Sequence, residues 1–229
     1  MSNAAKYVPA LRFRALTRLY DPLVQLTLKD AKIKSLLVER LGVEDGMRVV
    51  DIGCGPGNLA IRIALAHPTA RVLGLDGDPE ILGIARRKAS EAGVDVSFTE
   101  GLATAAPLEP ESFDRVVTSL VLHHLTPLDK RTALRAMWTL LRPGGRVLVA
   151  DWGESRGVLM RAAFLSIQLL DGFANTEDHV AGRLPEYMRN AGFSDVTETH
   201  RERTVYGVVS FYSGERLSLI HISEPTRPY

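Results

Sequence analysis

A single cysteine among 229 residues, Cys54, excludes an internal disulfide and a cysteine-rich metal centre. It fits a reducing compartment, and cytoplasmic is the expected location. Neither sign of charge is in excess. The 28 Lys and Arg against 27 Asp and Glu leave a formal net charge of +1, which gives no electrostatic case for a nucleic-acid partner. No apolar run approaches the ~18 residues of a membrane span. The first residues carry scattered charges and lack the apolar centre of a signal peptide. At most a weak peripheral membrane contact is left to Arg12, Arg14 and Arg18. Cysteine and histidine nowhere adopt ligand spacing, so no metal is expected. The length suits one domain with a full core.

What the chain does have is a dense glycine turn. Val49-Val50-Asp51-Ile52-Gly53-Cys54-Gly55-Pro56-Gly57-Asn58 reads as a strand ending in an acid, a sharp turn, and a helix start. Such a turn at the carboxyl end of a strand is a nucleotide-binding element, because the backbone comes close to the ligand and the helix offers free N–H groups. A dinucleotide fingerprint needs G-x-G-x-x-G. Here the third glycine comes one residue early, and Asp51 would repel a pyrophosphate. That argues against a nicotinamide oxidoreductase. An acid suits a cationic ligand, and the amino and sulfonium groups of S-adenosylmethionine meet that description. Cys54 reads as a small residue packed in the turn.

Periodicity and breakers give the rest of the chain. Residues 3–42 read as two helices parted at Tyr20-Asp21-Pro22. Strands are expected at Met47–Ile52, Arg71–Asp76, Val94–Thr99, Phe113–Leu120 and Arg146–Ala150. Helices are expected at Asn58–Ala66, Pro79–Ala92 and from Pro127 to Leu141. Strand–helix alternation of this kind builds a parallel, doubly wound α/β sheet. Further helices follow at Glu154–Gly172 and Glu177–Ala191. Phe193–His200 and Thr204–Tyr212 are then too close in sequence for a crossover helix, so they pair antiparallel.

Asp51-Ile52-Gly53-Cys54-Gly55-Pro56-Gly57 resembles the first motif of the class I S-adenosylmethionine-dependent methyltransferases. Asp76, Gly101-Leu102-Ala103, the segment Ser112 to Leu125, and Leu141-Arg142-Pro143-Gly144-Gly145 resemble four further segments in the same order. The likeness spans about residues 7–216. It is nearest to the ubiquinone/menaquinone biosynthesis type. It implies a Rossmann-like, seven-stranded sheet, mostly parallel with a C-terminal antiparallel hairpin. It implies S-adenosylmethionine as cofactor and a small, apolar or aromatic acceptor such as a quinol or phenol. A non-catalytic cofactor-binding regulator is the other reading. Neither the acceptor nor the oligomeric state is legible.

The resemblance assigns residues. Asp51, Gly53, Cys54, Gly55 and Gly57 form the cofactor turn, and Asp76 with Gly77 meets the ribose side. Asp78 suits a helix N-cap. Many relatives carry Gly-Asp-Ala after the third strand, with the Asp on the adenine amino group; Leu102 here removes that contact and leaves Ala103 backbone and apolar walls. Ser119 to Leu122 face the methionine part. His123 and His124 either touch the acceptor, one serving as base, or pack and cap. Asp151 either orients the acceptor or caps. Tyr20, Trp152 and Phe164 are the candidate lid and substrate-side residues.

Three divisions result: a helical lid over 1–42, the methyltransferase domain over 43–216, and a tail over 217–229. From Leu217 to Arg227 the tail resembles a translated sequencing adapter rather than native protein.

Overall fold

Strands β1 (Arg48–Ile52), β2 (Arg71–Asp76), β3 (Val96–Glu100), β4 (Phe113–Ser119) and β5 (Leu141–Trp152) run parallel in the computed structural model, which describes residues 29–154 and 157–218. Strands β6 (Ser194–Arg203) and β7 (Val208–Glu215) complete one seven-stranded sheet in the order β3-β2-β1-β4-β5-β7-β6. β7 is antiparallel to both β5 and β6. The expected closing hairpin is therefore present, with its second strand inserted beside β5. Thr204 N donates to Gly207 O at 2.8 Å and tightens the connecting turn.

Helices cover both faces, so the central strands are apolar on both sides. The helices are α1 (Asp30–Arg40), α2 (Asn58–Ala66), α3 (Pro79–Glu91), α4 (Pro127–Leu140), α5 (Val158–Asp171), α6 (Phe173–Val180) and α7 (Leu184–Asn190). On one face Val50, Val116 and Val149 pack against Leu134 and Met137 of α4 and Tyr187 and Met188 of α7. On the other, Val49, Val117 and Leu148 meet Ile33 and Leu37 of α1 and Leu59 and Ile63 of α2. Proline opens α3 and α4, where its missing N–H costs nothing. The caps are Asp78, accepting from the Glu80 and Ile81 N–H groups, and Thr126, accepting from Asp129 N.

Three differences from expectation have local causes. The single helix expected over Glu177–Ala191 is two, α6 and α7. Pro185 lies at the start of the second, and an unbroken helix would drive its ring into the carbonyl four residues back. β5 starts at Leu141 rather than Arg146, with a register shift against β4 where the Pro143-Gly144-Gly145 turn bulges out. Of the segment expected as a lid, α1 is a core helix: Ile33, Leu37 and Leu41 are fully buried. Tyr20 and the expected break at Pro22 lie outside the described residues, as do 219–229 of the expected tail. Arg216, just before that tail, is anchored: its guanidinium covers the Trp138 ring at 4.1 Å and donates to Leu141 O at 2.9 Å.

Candidate active site

The strand order reverses between β1 and its neighbours β2 and β4, and a crevice opens beyond their carboxyl ends. It is a cavity of about 390 Å³ with two halves. One half is built by the turns after β1, β2 and β3. Gly53, Gly55, Asp76, Gly77, Leu102, Ala103 and Thr104 line it, with Leu75 and Ile81. Gly53 has φ +71°, and a Cβ there would fall 2.5 Å from Val121 Cγ2. Gly55 has φ +51° and open space where a Cβ would stand. Both positions need glycine, the first for room and the second for backbone conformation.

Asp76 is the organiser of this half. Its Oδ2 accepts from Gly55 N at 2.8 Å and its Oδ1 from Asp78 N at 3.0 Å. Each oxygen keeps a second lone pair for a ligand hydroxyl.

Four residues expected around the cofactor do not line the cavity. Asp51 is 1% exposed and lies beneath the turn. Its Oδ2 has no hydrogen-bond partner among the described residues. Burial pushes its carboxyl up to about 7, against the pull of Lys34, and the neighbouring Asp76 adds to the rise while the Ala60 N–H opposes it. The direct contact with a cationic ligand that the sequence suggested finds no exposed carboxylate here, since Asp51 is buried and is not part of the cavity lining. Cys54 packs against Gly74, and burial pushes its thiol well above the usual range. Gly57 serves as the left-handed N-cap of α2. Ser119 ends β4 with its hydroxyl buried, and of the expected segment Ser119–Leu122 it is Leu120 and Val121 that line the cavity.

The second half is made by side chains. Leu120, Val121, His124, Leu125, Thr126, Asp129 and Asn175 line it. They come from the β4 end, the short 3-10 turn Leu122–His124, the start of α4, and α6. Leu120 has φ +56°, a strained value for a branched side chain. Strain of this kind concentrates at functional sites.

Behind this wall stands a buried polar cluster. Asp151 is fully buried at the end of β5. It accepts from Val121 N (3.1 Å), Leu122 N and Trp152 N (both 2.8 Å), and from His123 Nδ1 at 2.8 Å. Burial alone would raise its carboxyl. The facing His123 and His179 and these hydrogen bonds outweigh it and hold the group well below the usual carboxylate range. An ionised Asp151 only accepts, so His123 Nδ1 carries the proton and the lone pair of neutral His123 is on Nε2. His123 is 5% exposed, and its ring lies tilted at 44° against that of His124 with centroids 3.9 Å apart. His124 is the histidine that reaches the cavity.

Of the readings open for Asp151, the structure shows the capping one: its carboxylate is bonded to backbone N–H groups and to His123 and is not part of the cavity lining. Trp152 and Phe164, expected on the substrate side, are core residues. They are 2% and 1% exposed and pack edge to face at 5.3 Å, because rings of that area are worth more against each other than against water. Asn175 and Asp129 were not singled out by the sequence. Nothing in their local pattern marks them, since only the packing of α6 and α4 brings them to the wall.

The sheet order, the glycine turn and the acid closing β2 define a Rossmann-like enzyme with an adenosine-type cofactor crevice. Comparison with known proteins narrows this class. A family profile for a methyltransferase domain matches residues 49–145. The demethylmenaquinone methyltransferase of Thermus thermophilus is 30% identical over 187 residues, covering 74% of this chain and 82% of that protein. The ubiquinone biosynthesis O-methyltransferase of Aeromonas salmonicida is 37% identical over 115 residues, covering 50% of this chain and 47% of that protein. The solved structure of the S-adenosylmethionine-dependent methyltransferase SibL superposes with a TM-score of 0.61 at 27% identity, covering 89% of this chain and 56% of that one. The chain belongs to the class I S-adenosylmethionine-dependent methyltransferases and resembles the ubiquinone/menaquinone group within them. It is a methyltransferase and its cofactor is S-adenosylmethionine.

Proposed function

We propose that this enzyme methylates a quinol- or phenol-type aromatic small molecule. The observation that carries the reading is the make-up of the second half of the cavity. Apolar Leu120, Val121 and Leu125 flank His124 and Asn175 there, which suits a flat apolar ring bearing hydroxyl groups. The similarity to a demethylmenaquinone methyltransferase and to a ubiquinone biosynthesis O-methyltransferase supports the same class.

In this reading Asp76 takes the ribose hydroxyls. Leu102 and Ala103 flank the base through apolar contact and backbone. The glycine turn receives the methionine part, and Val121, which packs against Gly53, stands with Leu120 at the border between cofactor and acceptor. Bound S-adenosylmethionine supplies an electrophilic methyl on a sulfonium. The chain's own contribution is to hold the acceptor at near-attack distance and exclude water. An ionised phenol or hydroquinone needs no more than this. A neutral hydroxyl must lose a proton, and His124 on the wall is the group placed to receive it. Asp151 is a positioning residue: it fixes the His123 ring, and His123 supports His124 by ring contact.

The test is a transfer assay with the purified chain, S-adenosylmethionine, and a panel of reduced naphthoquinones, benzoquinones and catechols, read by mass spectrometry. The expected result is one added methyl on at least one quinol or phenol, with S-adenosylhomocysteine formed in step. Calorimetric binding of S-adenosylhomocysteine without transfer to any panel member would overturn the acceptor class.

A further inference from the structure

Lys130 of α4 is a fully buried lysine, its side chain 0% exposed. Its Nζ donates to Asp178 Oδ1 of α6 at 2.6 Å and to the backbone carbonyl of Asn175. Asp178, 5% exposed, also accepts from His179 N, and its Oδ2 has no partner among the described residues. Burial draws the ammonium below its ordinary pKa, and the facing carboxylate opposes that. A pair held this way is an expensive means of joining two helices. Apolar side chains of the same size would join them as well or better, since a buried ion pair seldom repays its desolvation. Stability is therefore a poor reason for the pair, and its location offers another.

Lys130 follows Asp129 and lies one turn beyond Thr126, both in the cavity wall. Asn175, whose carbonyl it holds, is in the wall as well, and Asn175 Nδ2 donates to His124 O at 3.2 Å. His179, one residue past Asp178, donates from Nδ1 to Trp152 O at 2.8 Å. So α6 is tied to the site by polar bonds at three places. Its first residue, Phe173, is 52% exposed and anchors nothing inward. The chain from Lys130 to Asn175 to His124 is continuous.

We propose that the buried Lys130–Asp178 pair is a latch that positions the acceptor wall, holding Asn175 and through it the His124 backbone at the cavity. Lys130 and Asp178 act through other groups and are positioning residues. The proposal rests on reading this half of the cavity as the acceptor's. The cofactor half, built on the turns after β1 to β3, does not touch the latch.

The decisive variant is Lys130→Met/Asp178→Leu, which replaces the ion pair by an apolar one. Its thermal midpoint should equal or exceed that of the wild type, and its affinity for S-adenosylhomocysteine should stay within about two-fold. With naphthoquinol as probe, kcat should fall roughly ten-fold or more, because the reacting groups lose their orientation. Amide exchange over residues 173–180 should quicken while that of β1 to β3 stays unchanged. A stable double variant with wild-type kcat, KM and exchange would overturn the latch. Asn175→Ala, at the half-buried end of the chain, gives a second reading: the same loss of kcat with S-adenosylhomocysteine affinity retained. Wild-type protein that fails to methylate naphthoquinol would count against the acceptor class alone. The exchange measurement then decides the latch, since equal exchange in both proteins would still overturn it.

Discussion

The two halves of the cavity are built on different principles. The cofactor half is backbone. Its glycines, the Asp76 carboxylate and the strand ends lie within a few residues of sequence motifs; Gly55 N bonds Asp76 from the turn after β1, and Asp78 N bonds it within the turn after β2. The half proposed for the acceptor is side chain. Asn175 reaches His124 across 51 positions, and Lys130 reaches Asp178 across 48. The first half is rigid because the sheet is rigid. The second is held by buried polar contacts, each of which depends on a helix being in the right place. This contrast explains how one fold keeps its cofactor and changes its acceptor.

The largest effect expected on the comparison is from Asp76→Ala. It strands the Gly55 and Asp78 N–H groups and removes the ribose partner, so S-adenosylhomocysteine should bind roughly 100-fold more weakly by calorimetry. Unchanged affinity would break the assignment of this half to the cofactor. Next comes Asp151→Asn. Loss of the charge frees His123 to take the wrong tautomer, and transfer to a quinol probe should fall by roughly 10- to 100-fold while cofactor affinity holds. A parallel loss of cofactor affinity would show that the halves are not separable.

Asp51→Asn sharpens the comparison from beneath the turn. The Asp51 carboxyl is raised in the folded protein from its ordinary 3.8 to about 7. A raised carboxyl costs nothing below the ordinary value. It destabilises increasingly as pH rises through that window, and fully above it. The variant should therefore melt with the wild type near about pH 4 and several degrees higher near about pH 8, an effect bounded by roughly 4 kcal/mol. Equal melting at both would mean that the Asp51 carboxylate is already compensated. The smallest effect is expected from Leu169→Ser. Leu169 of α5 is 75% exposed, and its loss should change stability by no more than about 0.5 kcal/mol in urea unfolding.

Sequence legibility followed the same division. Asp76 was expected on the cavity and is there, and Asp78 was expected to cap α3 and does. Trp152 and Phe164 were expected beside the substrate and are packed against each other in the core. An apolar segment reads alike whether it lines a pocket or fills one, so no local pattern separates the two. His123 and His124 were both candidates, and the short turn that carries them sends only one to the cavity. Pro185 held the information that splits the late helix, and its consequence was available from the residue alone.

By itself the sequence determined the parallel core strands, the closing antiparallel pair and the glycine turn, which rest on local periodicity, breakers and glycine positions acting within a few residues. The methyltransferase family was legible only through the resemblance of its motifs to that family's. The tertiary structure alone decided that Asp51 is buried off the cavity lining, that Asp151 is bonded to His123 and backbone N–H groups, and that Lys130 pairs with Asp178 and holds the Asn175 carbonyl. Those outcomes depend on which side of a strand or helix is turned inward and on pairing across distant segments, and the balance of burial against hydrogen bonding settles them only once the whole chain is packed.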